Sequence, residues 1–143
     1  MPRVALVTGG TRGIGAAIAG ILKEGGHQVV VTYQGNEDAA AAFTRSTGMP
    51  AQRWDVGDFA ACQDGVSSIE QQYGSVDILV NNAGITRDGM LHKMSSEDWD
   101  SVIRTNLTSA FNMTHAVING MRERGFGRLI QISSVNGVKG QMG

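Results

Sequence analysis

Short apolar runs and helical patterns alternate along the whole chain, and glycines stand at many of the boundaries. The runs have the length and the branched apolar residues of buried strands, whereas the segments between them place apolar residues three or four positions apart, as amphipathic helices do. Strands joined through helices lie parallel, with right-handed crossovers. The sequence therefore predicts an α/β fold of Rossmann type, a doubly wound parallel sheet in three layers. The predicted strands are residues 4–8, 28–33, 51–56, 77–80 and 128–133.

The segments between the strands predict helices over residues 13–24, around the alanines at 39–42 up to Gly48, from Asp58 to Tyr73, and over 97–123. Ser95 and Asp98 at the start of the last one resemble a capping box, with Asp in the usual Glu or Gln position. The sequence has no internal repeat and no sign of a domain boundary. We therefore expect residues 1–143 to form a single domain, ending after the fifth strand.

Composition and charge exclude several classes of protein. The chain has 12 Lys and Arg against 13 Asp and Glu, and these charges are scattered, so we expect no nucleic-acid partner. The start lacks a signal-peptide pattern, and no stretch approaches the roughly 18 apolar residues of a membrane span. Cys62 is the only cysteine, which excludes an internal disulfide and a cysteine-rich metal site. We expect a cytoplasmic protein with no membrane and no metal partner.

A glycine-rich loop separates the first strand from the first helix. Its glycines stand at positions 9, 13 and 15, directly after Thr8. A turn without side chains lets backbone N–H groups approach a pyrophosphate, and the N-terminus of the following helix favours the same negative charge. The alternative is a glycine-rich turn without a ligand. We therefore interpret residues 1–143 as a dinucleotide-binding domain. The predicted cofactor contacts of its loop are Gly9, Thr11, Arg12, Gly13, Ile14 and Gly15.

Further motifs follow in order along the chain. Asp55 and Val56 end the third strand, Asn-Asn-Ala-Gly at 81–84 closes the fourth, Asn106 lies within the long helix, and Ser134 follows the fifth strand. With the pattern Thr-Gly-x-x-x-Gly-x-Gly, this series resembles the short-chain dehydrogenase/reductase family. The resemblance implies that Asn106 and Ser134 are catalytic. It also implies cofactor contacts by Tyr33, Gly35, Asp55, Val56, Asn82, Ala83, Gly84, Ile85 and Thr86.

The end of the second strand indicates which dinucleotide is bound. An NAD site would place a carboxylate there for the ribose 2′-hydroxyl, but none occurs before Glu37. Arg12 stands in the glycine loop, where NADP-dependent relatives in this family often have a basic residue. A guanidinium can bind a 2′-phosphate through two charge-assisted hydrogen bonds. We therefore predict NADP(H), although Arg12 could also be an ordinary solvated arginine.

The segment 85–94 is similar to the loop of one group in the family, the acetoacetyl-CoA reductases of polyhydroxyalkanoate synthesis, and so is the ending 133–143. The resemblance implies that Asp88, Gln141, Met142 and Gly143 line an acyl-CoA pocket. Asp88 could instead be only a turn residue. For His92 and Lys93 we prefer an exposed pair at the entry to a helix.

The family reduces a ketone by hydride transfer from the nicotinamide, with a tyrosine as proton donor and a lysine four residues later. The resemblance implies that Ser134 polarises the carbonyl and that Asn106 holds a water in the proton relay. Neither Tyr33 nor Tyr73 is followed by such a lysine. We therefore expect residues 1–143 by themselves to be inactive, either as a fragment or as a natural truncation.

The leading hypothesis is NADPH-dependent reduction of acetoacetyl-CoA to 3-hydroxybutyryl-CoA. The alternatives are a 3-oxoacyl-[acyl-carrier-protein] reductase and, in another class, a non-catalytic NADP-binding module. The expected ending after the fifth strand leaves that strand as an exposed edge and uncovers an apolar stripe on the long helix. We expect residues 1–143 to self-associate, and the full-length parent to be a homotetramer. The stripe consists of Trp99, Val102, Ile103, Leu107 and Phe111.

Overall fold

The computed structural model describes residues 2–140 and contains one five-stranded sheet. The strand order is β3-β2-β1-β4-β5, and every neighbouring pair is parallel. Because the chain winds outwards in one direction from β1 to β3 and in the other from β4 to β5, the order reverses between β1 and β4. This topology confirms the Rossmann-type α/β fold. The strands are β1 (Val4–Val7), β2 (Gln28–Tyr33), β3 (Ala51–Arg53), β4 (Val76–Asn81) and β5 (Arg128–Gln131).

Five α-helices connect or flank these strands, and three of them begin with a side-chain cap. Asn36, Asp58 and Ser95 each accept a hydrogen bond from a backbone N–H in the first turn of the helix that follows. Ser95 Oγ also donates to Asp98 Oδ2 at 2.7 Å, so the predicted capping pair is present. The helices are α1 (Gly13–Glu24), α2 (Glu37–Thr47), α3 (Phe59–Tyr73), α4 (Ser96–Ile103) and α5 (Ser109–Glu123).

The predicted helix over 97–123 is not continuous. A π-helical turn, Arg104–Thr108, separates α4 from α5. The prediction was wrong here because this segment contains no proline or glycine, and the apolar spacing continues through it. Such turns concentrate at functional sites.

Three predicted strands end earlier than expected, and the first of them, 4–8, ends at Val7. The segment 51–56 forms a strand only over Ala51–Arg53, because Asp55 then accepts a hydrogen bond from the Gly57 amide and turns the chain. The segment 128–133 forms a strand only over Arg128–Gln131. One further backbone hydrogen bond continues the pairing of β5 with β4. In it the Ile132 amide donates to the carbonyl of Asn81, which is the last residue of β4.

The core lies on both faces of the sheet. Alternate residues of β1 belong to opposite layers: Leu6 packs with α3 and α5, while Ala5 and Val7 pack with α1 and α2. Typical partners are Ile69 and Val117 in the first layer and Ala19 and Phe43 in the second. No helix within residues 2–140 is long and apolar enough to cross a membrane.

The free edge of the sheet and the apolar stripe are both exposed, as predicted. All four residues of β5 are exposed. In the stripe, Leu107 is 64% exposed and Phe111 is 61% exposed, whereas Val102 is half-buried. The Phe111 ring lies 6.2 Å from the Phe59 ring, so the surface is continued by α3.

Candidate functional site

The glycine loop between β1 and α1 is shaped by its missing side chains. Gly9 and Gly13 have φ angles of 61° and 54°, which favour glycine. A Cβ on Gly15 would lie 2.6 Å from Asn82 Nδ2, so this position admits no side chain without a shift. Gly10, which the family pattern does not specify, is equally restricted, since its Cβ would lie 2.5 Å from that of Val31.

The start of α1 offers unpaired backbone donors. Unlike α2, α3 and α4, this helix has no side-chain cap, and its first turn contains no acidic residue. The Cβ position of Gly13 has no neighbour within 4 Å, so space is open in front of the loop. Uncapped N–H groups at a helix N-terminus attract a phosphate group.

Thr8 and Asn82 tie the glycine loop to the segment after β4. The buried Thr8 hydroxyl accepts hydrogen bonds from the Asn82 and Ala83 amides, both at 3.0 Å. Asn82 Nδ2 donates to the carbonyls of Thr8 at 3.0 Å and Gly9 at 3.2 Å. Two segments more than 70 residues apart in sequence are thereby held in one arrangement.

These segments enclose a cleft of about 490 Å³ at the carboxyl ends of the strands. It lies where the strand order reverses between β1 and β4, which is the usual position of a ligand in an open α/β sheet. Most predicted cofactor contacts line it, but Asp55 and Thr86 do not. The predicted residues in the lining are Gly9, Thr11, Arg12, Gly13, Ile14, Gly15, Tyr33, Gly35, Val56, Asn82, Ala83, Gly84 and Ile85.

Sequence reasoning missed five lining residues: Thr32, Gln34, Asn36, Trp54 and Thr105. Trp54 follows β3 and is only 9% exposed. Its ring packs against α3 where Gly65 leaves room, because a Cβ at Gly65 would lie 2.6 Å from Trp54 Cε3. The glycine inside a helical pattern was the one signal of this packing.

The Asp55 carboxylate makes contacts outside the cleft lining. Its Oδ1 accepts from the Gly57 amide at 2.8 Å, and its Oδ2 lies 3.2 Å from Arg104 Nη2. The expected contact of Asp55 with adenine therefore stays a prediction. Arg104 is the first residue of the π-helical turn, so the pair joins this turn to the loop after β3.

No carboxylate occurs among the described residues that line the cleft. At the end of β2 the lining consists of Tyr33, Gln34, Gly35 and Asn36, with Arg12 also in the wall. Glu37, the first carboxylate after β2, forms an ion pair with Arg53 instead.

The π-helical turn places Asn106 against the loop after β4. Its Oδ1 accepts from the Ile85 amide at 2.8 Å, and its Nδ2 donates to the Ile85 carbonyl at 2.9 Å. Both ends of the Asn106 amide therefore hold the backbone of Ile85. The expected role of Asn106 in a proton relay stays a prediction.

The remaining predicted site residues either do not line the cleft or lie outside the described part of the chain. Ser134 is exposed after β5 and accepts a hydrogen bond from the Asn136 amide at 3.2 Å. Asp88 is exposed in the loop after Ile85, and His92 and Lys93 lie exposed in a short 3₁₀ turn. The predicted substrate contacts Gln141, Met142 and Gly143 lie outside the described residues.

Cys62 is not suited to nucleophilic chemistry. Burial raises the pKa of its thiol to about 11, and nearby carboxylates add to the rise. Its Sγ lies 3.3 Å from the Val56 carbonyl, so the protonated thiol packs behind the cleft. We assign this cysteine to the core.

Comparison with known proteins identifies the family. The sequence profile of the short chain dehydrogenases matches residues 3–143. The chain belongs to the short-chain dehydrogenase family. Members of this family are oxidoreductases that use a nicotinamide cofactor. The start of α1 fits the pyrophosphate of such a dinucleotide, because it has no side-chain cap and the space at Gly13 is open.

Several short-chain dehydrogenases are similar over the whole chain. A protein of Rhizobium meliloti named acetoacetyl-CoA reductase is 59% identical over 143 residues, and a protein of Shinella zoogloeoides with the same name is 57% identical. A protein of Escherichia coli named 3-oxoacyl-[acyl-carrier-protein] reductase is 42% identical over 143 residues. Alignment with the first two covers 100% of this chain and 59% of each relative, and with the third 99% and 58%. The chain thus spans about three fifths of these relatives.

Proposed function

We propose that the protein reduces the 3-keto group of acetoacetyl-CoA with NADPH to give 3-hydroxybutyryl-CoA, a step of polyhydroxyalkanoate synthesis. The observation that carries the proposal is the cleft: Arg12 stands in its wall, and its described lining contains no carboxylate that would repel a 2′-phosphate. The choice of acyl-CoA rests on the similarity to relatives named acetoacetyl-CoA reductase. A cytoplasmic location is part of the proposal, consistent with a single cysteine.

Each part of the cofactor has a proposed partner in the cleft. The backbone N–H groups at Gly13, Ile14 and Gly15 bind the pyrophosphate, and the Arg12 guanidinium binds the 2′-phosphate. Asp55 and Val56 receive the adenine. The nicotinamide end lies against the loop after β4, with Ile85 held by Asn106. The remaining proposed contacts are Gly9, Thr11, Tyr33, Gly35, Asn82, Ala83, Gly84 and Thr86.

The bound cofactor supplies the hydride that reduces the 3-keto carbon. The Ser134 hydroxyl donates a hydrogen bond to the keto oxygen and stabilises the negative charge that develops there. Asn106 fixes the loop beside the reacting centre and orders a water for the proton relay. Asp88 and residues 141–143 contact the acyl-CoA. In the family, the proton that completes the alcohol comes from the tyrosine of a Tyr-x-x-x-Lys pair, and residues 1–143 contain no such pair.

Two other functions remain as alternatives to test. The 42% identity to a 3-oxoacyl-[acyl-carrier-protein] reductase supports the same reaction on a protein-bound substrate. A non-catalytic NADP-binding module would share the cleft but show no turnover.

The decisive experiment compares acetoacetyl-CoA with acetoacetyl-[acyl-carrier-protein] as substrates of the intact protein. We expect kcat/KM to be at least about tenfold higher for the CoA thioester, a difference of about 1.4 kcal/mol in transition-state binding. The opposite preference would assign the protein to fatty-acid synthesis. NADPH binding without oxidation on either substrate would identify the binding module.

A further inference from the structure

A second arginine lies beside the cofactor cleft without lining it. Arg53 ends β3 and pairs in register with Tyr33 of β2. Its Nε donates to the Gln34 carbonyl at 2.8 Å, and its Nη1 contacts the Glu37 carboxylate. Gln34 belongs to the cleft lining, so Arg53 contacts a lining residue without lining the cleft itself.

The ion pair of Arg53 with Glu37 changes the local charge more than it changes the free energy of folding. Its side chain is 56% exposed and that of Glu37 is 66% exposed. An ion pair in such a position contributes little to the free energy of folding. It does, however, neutralise the first carboxylate that follows β2, and the end of β2 is where a dinucleotide-binding sheet distinguishes a 2′-hydroxyl from a 2′-phosphate.

We propose that Arg53 is a specificity-determining residue that favours NADPH by neutralising Glu37 and by engaging the Gln34 carbonyl. Without Arg53, the carboxylate at the start of α2 would repel the 2′-phosphate that Arg12 attracts. NADH has no 2′-phosphate, so its affinity should not depend on the charge of Glu37. The inference rests on the proposed use of NADPH and adds a residue that acts through Glu37 rather than by contact with the cofactor.

The chain contains a closely matched control. Arg124 donates to the Val76 carbonyl at 2.8 Å and lies 3.6 Å from the Asp77 carboxylate, so it joins one carbonyl and one carboxylate as Arg53 does. Val76 and Asp77 are the first residues of β4, so they lie at the amino ends of the strands, whereas the cleft lies at the carboxyl ends. Arg124→Gln removes the same charge and the same type of contacts far from the cofactor.

The test measures dissociation constants of NADPH and NADH for the intact protein by cofactor fluorescence. We expect Arg53→Gln to weaken NADPH binding by about threefold to fivefold, as for loss of an exposed charge pair, and to change NADH binding by less than about twofold. Arg124→Gln should leave the ratio of the two constants unchanged. The effect of Arg53→Gln should shrink when salt is raised to about 0.5 M, since exposed charges are then screened.

A double-mutant cycle identifies the route of the effect. In Arg53→Gln/Glu37→Gln the anion is gone as well, so NADPH binding should return to within about twofold of the unmodified protein. Asp38, the next acidic residue of α2, provides the comparison. When Asp38→Asn is combined with Arg53→Gln, the ratio of the NADPH and NADH dissociation constants should not return to that of the unmodified protein. An unchanged ratio in Arg53→Gln would overturn the proposal, and so would a double variant as weak as the single one, which would indicate direct contact with the phosphate. If the unmodified protein preferred NADH, the proposed cofactor itself would be wrong, which is a separate result.

Discussion

At the scale of single residues, the proposed preference for NADPH rests on the side chain of Arg12. It lies in the wall of a cleft whose described lining has no carboxylate. Arg12→Ala should weaken NADPH binding by about 1.5–3 kcal/mol, the range for hydrogen bonds to charged groups, and leave NADH binding unchanged. Fluorescence titration with each cofactor measures this, with Arg45→Ala on α2 as the control. Equal losses for both cofactors would show that Arg12 does not bind the 2′-phosphate.

The hydroxyl of Thr8 supports the site from within the core. It is 2% exposed and accepts from the amides of Asn82 and Ala83. Thr8→Val keeps the shape but leaves both amides without this acceptor, so the free energy of unfolding should fall by about 1–3 kcal/mol. Thr8→Ser retains the oxygen and should lose distinctly less. Urea unfolding of the two variants measures these differences. If Thr8→Val were as stable as the unmodified protein, the two hydrogen bonds would make no net contribution to the free energy of unfolding.

The predictable residues of the site are those set by local sequence. Gly9, Gly13 and Gly15 could be found because a single turn imposes their spacing. The bonds between Thr8 and Asn82 could not, because they join segments that only the sheet brings together. Trp54 was missed for the same reason: it turns from a strand end towards Gly65 on a helix.

At the scale of elements, the π-helical turn between α4 and α5 joins the cleft to the loop after β4. Asn106 holds both polar groups of the Ile85 backbone from this turn. Asn106→Ala should speed hydrogen exchange at the Ile85 amide and weaken binding at the nicotinamide end. Asn119→Ala, an exposed change on α5, should do neither. Exchange measured residue by residue tests this, and unchanged protection of Ile85 would show that the loop keeps its conformation without Asn106.

Elements with strong local signals were predictable from the sequence, including α3 from its Asp58 cap to Tyr73 and β2 over Gln28–Tyr33. The interruption at Arg104–Thr108 was not, because a π-helical turn shifts the hydrogen bonds by one residue without needing a helix breaker. The contacts of this segment, those of Asn106 with Ile85 and of Arg104 with Asp55, depend on the tertiary structure and not on the local sequence.

At the scale of the whole molecule, an exposed strand edge and an apolar stripe occur together. Trp99 is 56% exposed and Ile130 on β5 is 42% exposed. Burial of an apolar side chain of this size contributes about 1.5–3 kcal/mol, so these surfaces favour association. We expect residues 1–143 by themselves to self-associate, and the full-length parent to be a homotetramer built through α4 and α5. Light scattering over a range of concentrations tests both, and a cooperatively melting monomer of residues 1–143 would contradict the first.

Residues 1–143 by themselves also allow a test of catalysis. Residues 1–143 contain the cleft but no Tyr-x-x-x-Lys. We expect them to bind NADPH and not to oxidise it with acetoacetyl-CoA at a useful rate, whereas a version extended through the family's Tyr-Lys segment should be active. Robust turnover by a preparation of verified mass would require a different proton donor.

Because α1 has no side-chain cap, we expect the free energy of unfolding to depend on the anions in the buffer. Three helices carry their own N-terminal acceptor, whereas α1 has no side-chain cap, so an anion bound there would take this role. Any oligophosphate that occupies the loop binds the folded state alone, and at one hundred times its dissociation constant it would add about 2.7 kcal/mol to the free energy of unfolding. Melting temperatures recorded in phosphate and in an amine buffer would therefore describe differently liganded species, and the cofactor would act in the cell as a folding ligand as well as a reductant.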